Sequence, residues 1–132
     1  MTLTYAIGDV HGRRDLLAAL LSAISKDSGG HKHRIVFLGD IIDRGPESRQ
    51  CLDLVIGTLQ SQPDSRLILG NHEEFMLTFL HAASPQARET AARRWFPNGG
   101  SETLRSYGFD DTGELGAIAE QLGRNNPGHI AA

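Results

Sequence analysis

The sequence predicts an α/β chain built strand–helix–strand–helix–strand and followed by a helical region, and three observations carry that expectation. Short apolar runs occur three times, as Tyr5-Ala6-Ile7, Ile35-Val36-Phe37-Leu38 and Leu67-Ile68-Leu69. Each run opens into a glycine followed by Asp or Asn, at Gly8-Asp9, Gly39-Asp40 and Gly70-Asn71. Between the runs, apolar residues recur at helical spacing. Strands separated by helices pair in parallel through right-handed crossovers. In such an open sheet, ligands bind at the carboxyl ends of the strands. Three loops therefore converge on one site.

The elements follow in order. After the first loop, Leu16, Leu17, Leu20, Leu21 and Ile24 line one face of a helix reaching to about Lys26, which Ser28-Gly29-Gly30 ends. A polar loop with His31 and His33 leads into the second strand. Helical character resumes at Pro46, with Glu47 in the first turn and Cys51, Leu52, Leu54, Val55 and Leu59 beyond it. Gln62-Pro63-Asp64 breaks that helix before the third strand. A third helix starts near His72 and carries Phe75, Met76, Phe79 and Leu80. Ser84-Pro85 opens a fourth, running through Arg93. Pro97 to Gly100 reads as a loop, Ser101 to Gly108 as a short helix, and the stretch after Glu114 as a last helix to about Leu122 with a turn from Gly123 to Pro127. The chain is read as one domain, residues 1–84 forming an α/β core that carries the three strand–loop units and residues 85–132 a helical region.

Composition bounds the function. A length of 132 residues with 39% hydrophobic content suits one domain with a true core. A net charge of −3 gives no global attraction to nucleic acid or to an acidic membrane surface. The lone cysteine, Cys51, forms no internal disulfide and fits a reducing, cytoplasmic setting. No stretch is apolar for the length a membrane-spanning helix needs, and no signal peptide is recognisable.

The loop residues specify chemistry. Asp9, His11, Asp40, Asn71 and His72 offer oxygen and imidazole donors without thiolates, a set suited to divalent Mn, Fe, Zn or similar ions. Asp9 and His11 lie two apart on a loop leaving a strand, so both side chains point the same way. Asp40 arrives from the neighbouring strand with two oxygens, enough to bridge two cations. Two metals about 3.5–4 Å apart activate water and clamp a phosphoryl group for in-line displacement. Arg44 offers a planar fork for phosphate oxygens. His72 is placed to protonate a leaving oxygen, with Asp43 as the carboxylate that orients it.

Gly-Asp-Val-His-Gly, Gly-Asp-Ile-Ile-Asp-Arg-Gly and Gly-Asn-His-Glu, in that order, resemble the first three motifs of the metallophosphoesterases. Asp43-Arg44-Gly45 resembles the phosphoprotein phosphatase branch, which includes bacterial serine/threonine phosphatases and symmetrical diadenosine tetraphosphatases. Trp95 to Gly108 is similar to the helical insert of bacterial members. The resemblance implies the first half of an αββα sandwich and two divalent metals, manganese first and Fe, Zn or Ni as alternatives. It implies that Asp9, His11 and Asp40 hold one metal and that Asp40 and Asn71 form part of the second site. It further implies His72 as general acid, Asp43 as its partner, and Arg44 with Asn71 on phosphate. The implied activity is serine/threonine phosphoprotein hydrolysis. The alternatives are symmetrical dinucleoside tetraphosphate hydrolysis and a non-catalytic metal- or phosphate-binding module. The implied partner is a phosphorylated protein or a small phosphoester.

The resemblance stops short of the family's later motifs, which supply two further histidines and a second arginine. The chain is therefore expected to be an N-terminal portion with impaired turnover. His129, in Gly128-His129, lacks the preceding strand a ligand loop needs. Glu73 and Glu74 read as first-turn charges favourable to the helix dipole. Arg93 and Arg94 read first as a solvated helix face, with contact to an anionic substrate as the lesser alternative. Cys51 reads as a small core residue, and His31, His33 and His81 as solvent-facing positions.

Overall fold

A computed structural model describes residues 2–126, 128 and 129. Its elements are β1 (Leu3–Ile7), α1 (Arg14–Ser28), β2 (His33–Phe37), α2 (Ser48–Ser61), β3 (Arg66–Leu67), α3 (Asn71–Leu80), α4 (Pro85–Trp95), a 3₁₀ turn (Phe96–Asn98), α5 (Gly100–Ser106) and α6 (Leu115–Asn125). The sheet order is β1-β2-β3 with both pairs parallel, Ile7 lying opposite Phe37 and Val36 opposite Arg66. This is the predicted strand–helix–strand–helix–strand half, with the helical region docked on it through α3 and α2. The expected reading of Pro127 and of residues 130–132 lies outside the described residues.

Local chemistry sets the helix ends. Gly29 takes a left-handed conformation (φ 60°) and its N–H donates to the Lys26 carbonyl, closing α1. Ser84 Oγ accepts from the Ala87 N–H, and Pro85 occupies the first helical position of α4. The Glu114 carboxylate accepts from the N–H groups of Gly116 and Ala117 and starts α6. That helix runs through Gly123 to Asn125 instead of stopping at Leu122, because the Asn126 N–H closes one more turn on the Leu122 carbonyl.

The third strand is shorter than the apolar run suggested. Only Arg66 and Leu67 pair with β2, and Ile68 donates one last bond to the Phe37 carbonyl before the chain turns to Gly70. Leu38, Ile68 and Leu69 are 50%, 53% and 47% exposed, although their runs are apolar. The core lies elsewhere, around Phe37, Ile41, Ile42, Val55, Phe79, Trp95, Leu104 and Leu122. Trp95 is fully buried and packs on Phe79 and Phe96, locking α4 to α3.

Cys51 is fully buried on α2, and burial, reinforced by the negative charge of Glu47, pushes its thiol up to about 12. At pH 8 the thiolate fraction is then on the order of one in ten thousand. Alkylation by iodoacetamide is expected to be negligible in the folded chain and to follow global unfolding as urea is added. Fast modification in buffer would show that α2 is not seated as described. Among the described residues, no helix is long and apolar enough to cross a membrane.

Candidate active site

The loops after β1 and β2 are stitched together before any side chain is considered. The His11 N–H donates to the Asp40 carbonyl (3.0 Å), Gly12 N–H to Ile41 (2.8 Å), Gly45 N–H back to His11 (3.0 Å) and Glu47 N–H to Gly12 (3.0 Å). A side chain at Gly45 would collide with the His11 carbonyl, so only glycine permits this approach. A Cβ on Gly70 would likewise strike the Asp40 carboxylate, which is how the third loop comes to lie against the second.

The backbone here is held in sparsely populated geometry. Among the described residues, five non-glycine residues have positive φ, namely Asp9 (51°), His11 (45°), Asp40 (54°), Asp43 (76°) and Arg44 (74°). All five belong to the two stitched loops. Each such conformation costs of order 1–3 kcal/mol, and such costs cluster where side chains must be aimed at one point.

The aim is visible in the side chains. Asp9, His11 and Asp40 each present a ligand atom, and these atoms all lie within 4.8 Å of one another. His11 Nδ1 donates to the Ile42 carbonyl at 2.9 Å, which leaves Nε2 with its lone pair free toward the other donors. Asp40 Oδ1 also accepts from the His72 N–H at 3.2 Å, fixing its carboxylate plane from the third loop. Two carboxylates and an imidazole held through Nδ1 suit a borderline divalent cation.

A second group stands beside the first. His72 Nδ1 is 2.7 Å from Asp43 Oδ2, and the His72 ring packs edge-on to His11 with centroids 4.8 Å apart. Asp43 is fully buried. Its carboxylate accepts from Thr103 Oγ1 (2.6 Å) and from Trp95 Nε1 (3.0 and 2.9 Å), both supplied by the helical region. Burial lifts its pKa above the ordinary carboxylate value, and the bonds from Thr103, His72 and Trp95 pull it partly back. Those bonds fix the carboxylate, which in turn holds the imidazole through Nδ1.

Asn71 and Arg44 are both exposed. Asn71 follows Gly70 directly at the first position of α3. The Arg44 N–H donates to the Gly99 carbonyl at 3.2 Å, and its side chain walls an open cleft with Phe96, Pro97, Asn98 and Ser101. His129 is not part of the cluster. It bonds through Nδ1 to Tyr107 Oη (2.6 Å) and through Nε2 to Asp53 (2.7 Å).

Three supporting residues were not legible as such. Glu73 is buried and its carboxylate accepts from the N–H groups of Asp40 (2.6 Å), Ile41 (2.9 Å), Ile42 (3.3 Å) and Gly70 (2.9 Å). Its place three residues after Gly70 signals a helix-start cap and nothing more. Trp95 and Thr103 read only as part of the helical insert, and no local pattern ties them to Asp43.

A family profile described as calcineurin-like phosphoesterase matches residues 3–124. Symmetrical bis(5'-nucleosyl)-tetraphosphatases are among the similar curated proteins. That of Coxiella burnetii (strain Dugway 5J108-111) is 37% identical over 83 residues, covering 63% of this chain and 26% of the relative. That of Methylococcus capsulatus is 40% identical over 73 residues, covering 55% and 24%. The match therefore spans about a quarter of the length of these relatives. A solved hypothetical protein from Pyrococcus horikoshii OT3 shares the fold over 98% of this chain and 47% of its own, with a TM-score of 0.55 and 16% identity.

Proposed function

Since the chain belongs to the calcineurin-like phosphoesterase family, we propose that it is the metal-holding part of a hydrolase acting on dinucleoside tetraphosphates, the substrate class named for its relatives. The observation that carries this reading is the Asp9–His11–Asp40 cluster standing beside the Asp43–His72 couple. Asp9, His11 and Asp40 hold one divalent ion, and Asp40 with Asn71 forms this chain's share of a second site. Manganese is the first candidate, with Fe, Zn and Ni suited by the same donors. A bound metal supplies Lewis acidity toward phosphoryl oxygens and makes water a better nucleophile at neutral pH.

The chain's own residues do the rest. Arg44 and Asn71 grip oxygens of the phosphoryl group under attack. His72 delivers the proton on Nε2 to the oxygen that leaves, and Asp43 stabilises the positive imidazolium before that transfer. The buried Trp95 and Thr103 bonds keep Asp43 from swinging out of line.

Phosphoserine and phosphothreonine hydrolysis is the second reading, favoured by the open cleft beside Arg44. The test compares para-nitrophenyl phosphate, a phosphoserine peptide and diadenosine tetraphosphate on the full-length protein with manganese. The tetraphosphate is expected to have the highest kcat/KM, and preference for the peptide would reverse the two readings. This 132-residue chain alone is expected to show near-absent turnover. Full activity from it would refute the need for further ligands.

A further inference from the structure

Of the arginines in the helical region, four are occupied. Arg88 donates to the carbonyls of Phe79, Leu80 and Ala82, while Arg93, Arg105 and Arg124 pair with Glu89, Glu102 and Glu120. Arg94 is the fifth, and among the described residues its guanidinium has no carboxylate or carbonyl partner. It lies instead over the Phe75 ring, 5.0 Å from the centroid.

That seat connects to the site. The Phe75 ring packs edge-on to His72, centroids 5.4 Å apart, and His72 packs edge-on to His11. A row of three rings thus runs from the candidate metal cluster to the Arg94 cation. The neighbouring Trp95 is fully buried and bonded to Asp43, so the last turn of α4 is anchored and the position of the Arg94 backbone is fixed. A guanidinium resting on an aromatic face keeps its five N–H donors free around its edge, in the fork geometry that matches phosphate oxygens. Arg44 serves the phosphoryl group under attack in the reading above, so a cation beyond His72 has no task on a monophosphate.

We propose that Arg94 binds a phosphate of the substrate other than the one being attacked, making it a specificity-determining residue for a polyphosphate chain. The inference rests on the tetraphosphatase reading and deepens it. A phosphopeptide offers no second phosphate at this place, so Arg94 separates the two substrate classes.

Binding tests this without turnover. Inorganic tripolyphosphate and orthophosphate are titrated calorimetrically into the parent chain, Arg94→Ala and Arg93→Ala, with manganese in excess over phosphate groups. Both arginines are exposed and both variants lose one positive charge, so Arg93→Ala controls for general electrostatics. Arg94→Ala is expected to weaken tripolyphosphate binding about tenfold, the scale of one charge-assisted contact. Arg93→Ala should stay within about twofold, and orthophosphate binding should be unchanged in both. Equal losses in the two variants, an equal loss for orthophosphate, or no tripolyphosphate binding by the parent chain would overturn the proposal. A separate manganese titration of the parent chain and the substrate comparison on the full-length protein test the hydrolase reading independently of Arg94, so a failure of that reading is distinguishable from a failure of this one.

Discussion

Asp40→Asn is expected to lower manganese affinity by more than about 100-fold, since even outer-shell partners of a metal ligand are worth 10–100-fold. Asp40 stands in the ligand cluster and accepts the His72 N–H, so it ties two loops as well as offering a ligand oxygen. Asparagine keeps an oxygen for that hydrogen bond and nearly the same shape. What it loses is the charge and the second oxygen. Calorimetric titration reads the affinity directly. Thermal unfolding gives a second, sharper reading. A parent chain at a hundred times its Kd gains about 2.7 kcal/mol from the metal, and the variant gains almost nothing. Without metal the order should equalise or reverse, because a neutral amide at this position relieves the crowding of the Asp9 and Asp40 carboxylates. A variant that binds manganese like the parent would remove Asp40 from the ligand set and with it the hydrolase reading.

The strand–loop units were legible because their signals are local. An apolar run followed by glycine and a carboxylate announces a buried strand delivering a polar group, and Asp9, His11 and Asp40 converge as that pattern predicts. The Asp43–His72 couple was legible for a related reason. Both residues sit just past strand ends that become neighbours once the strands pair in parallel. What was not legible depends on contacts across the chain. Trp95 reaches Asp43 over 52 positions and Thr103 over 60, and nothing in the composition of α4 or α5 marks either as a polar partner. Ile68 and Leu69 look like strand residues, yet the ladder ends at Leu67 because the backbone must turn to bring Gly70 against Asp40. Arg94 carried no spacing signal either, and its significance depends on the ring that α3 happens to place beneath it.

Glu73→Ala is expected to cost about 3–5 kcal/mol of stability, the scale of leaving two or three buried N–H donors unpaired at about 1–3 kcal/mol each. The expectation from helix-dipole chemistry alone was far smaller, about 0.3–1 kcal/mol for a first-turn acid. Geometry decides between them. The two Glu73 oxygens serve four backbone N–H groups, three of them consecutive in the Asp40–Ile42 loop. Ile41 and Ile42 are fully buried, so truncation leaves donors that water reaches poorly. Glu73→Gln separates the charge from the shape. An amide presents one oxygen and one NH2 group, so in either orientation an N–H donor of the loop faces another donor, and the cost stays well above the dipole figure. Urea midpoints for both variants measure this, with Glu74→Ala as the matched exposed control on the same turn. If Glu73→Ala and Glu74→Ala cost the same, Glu73 is only a helix-start charge. If Glu73→Ala costs several-fold more and also weakens manganese binding, the loop that aims Asp40 is held in its strained conformation from α3. The metal site would then be built by the third strand–loop unit as much as by the first two.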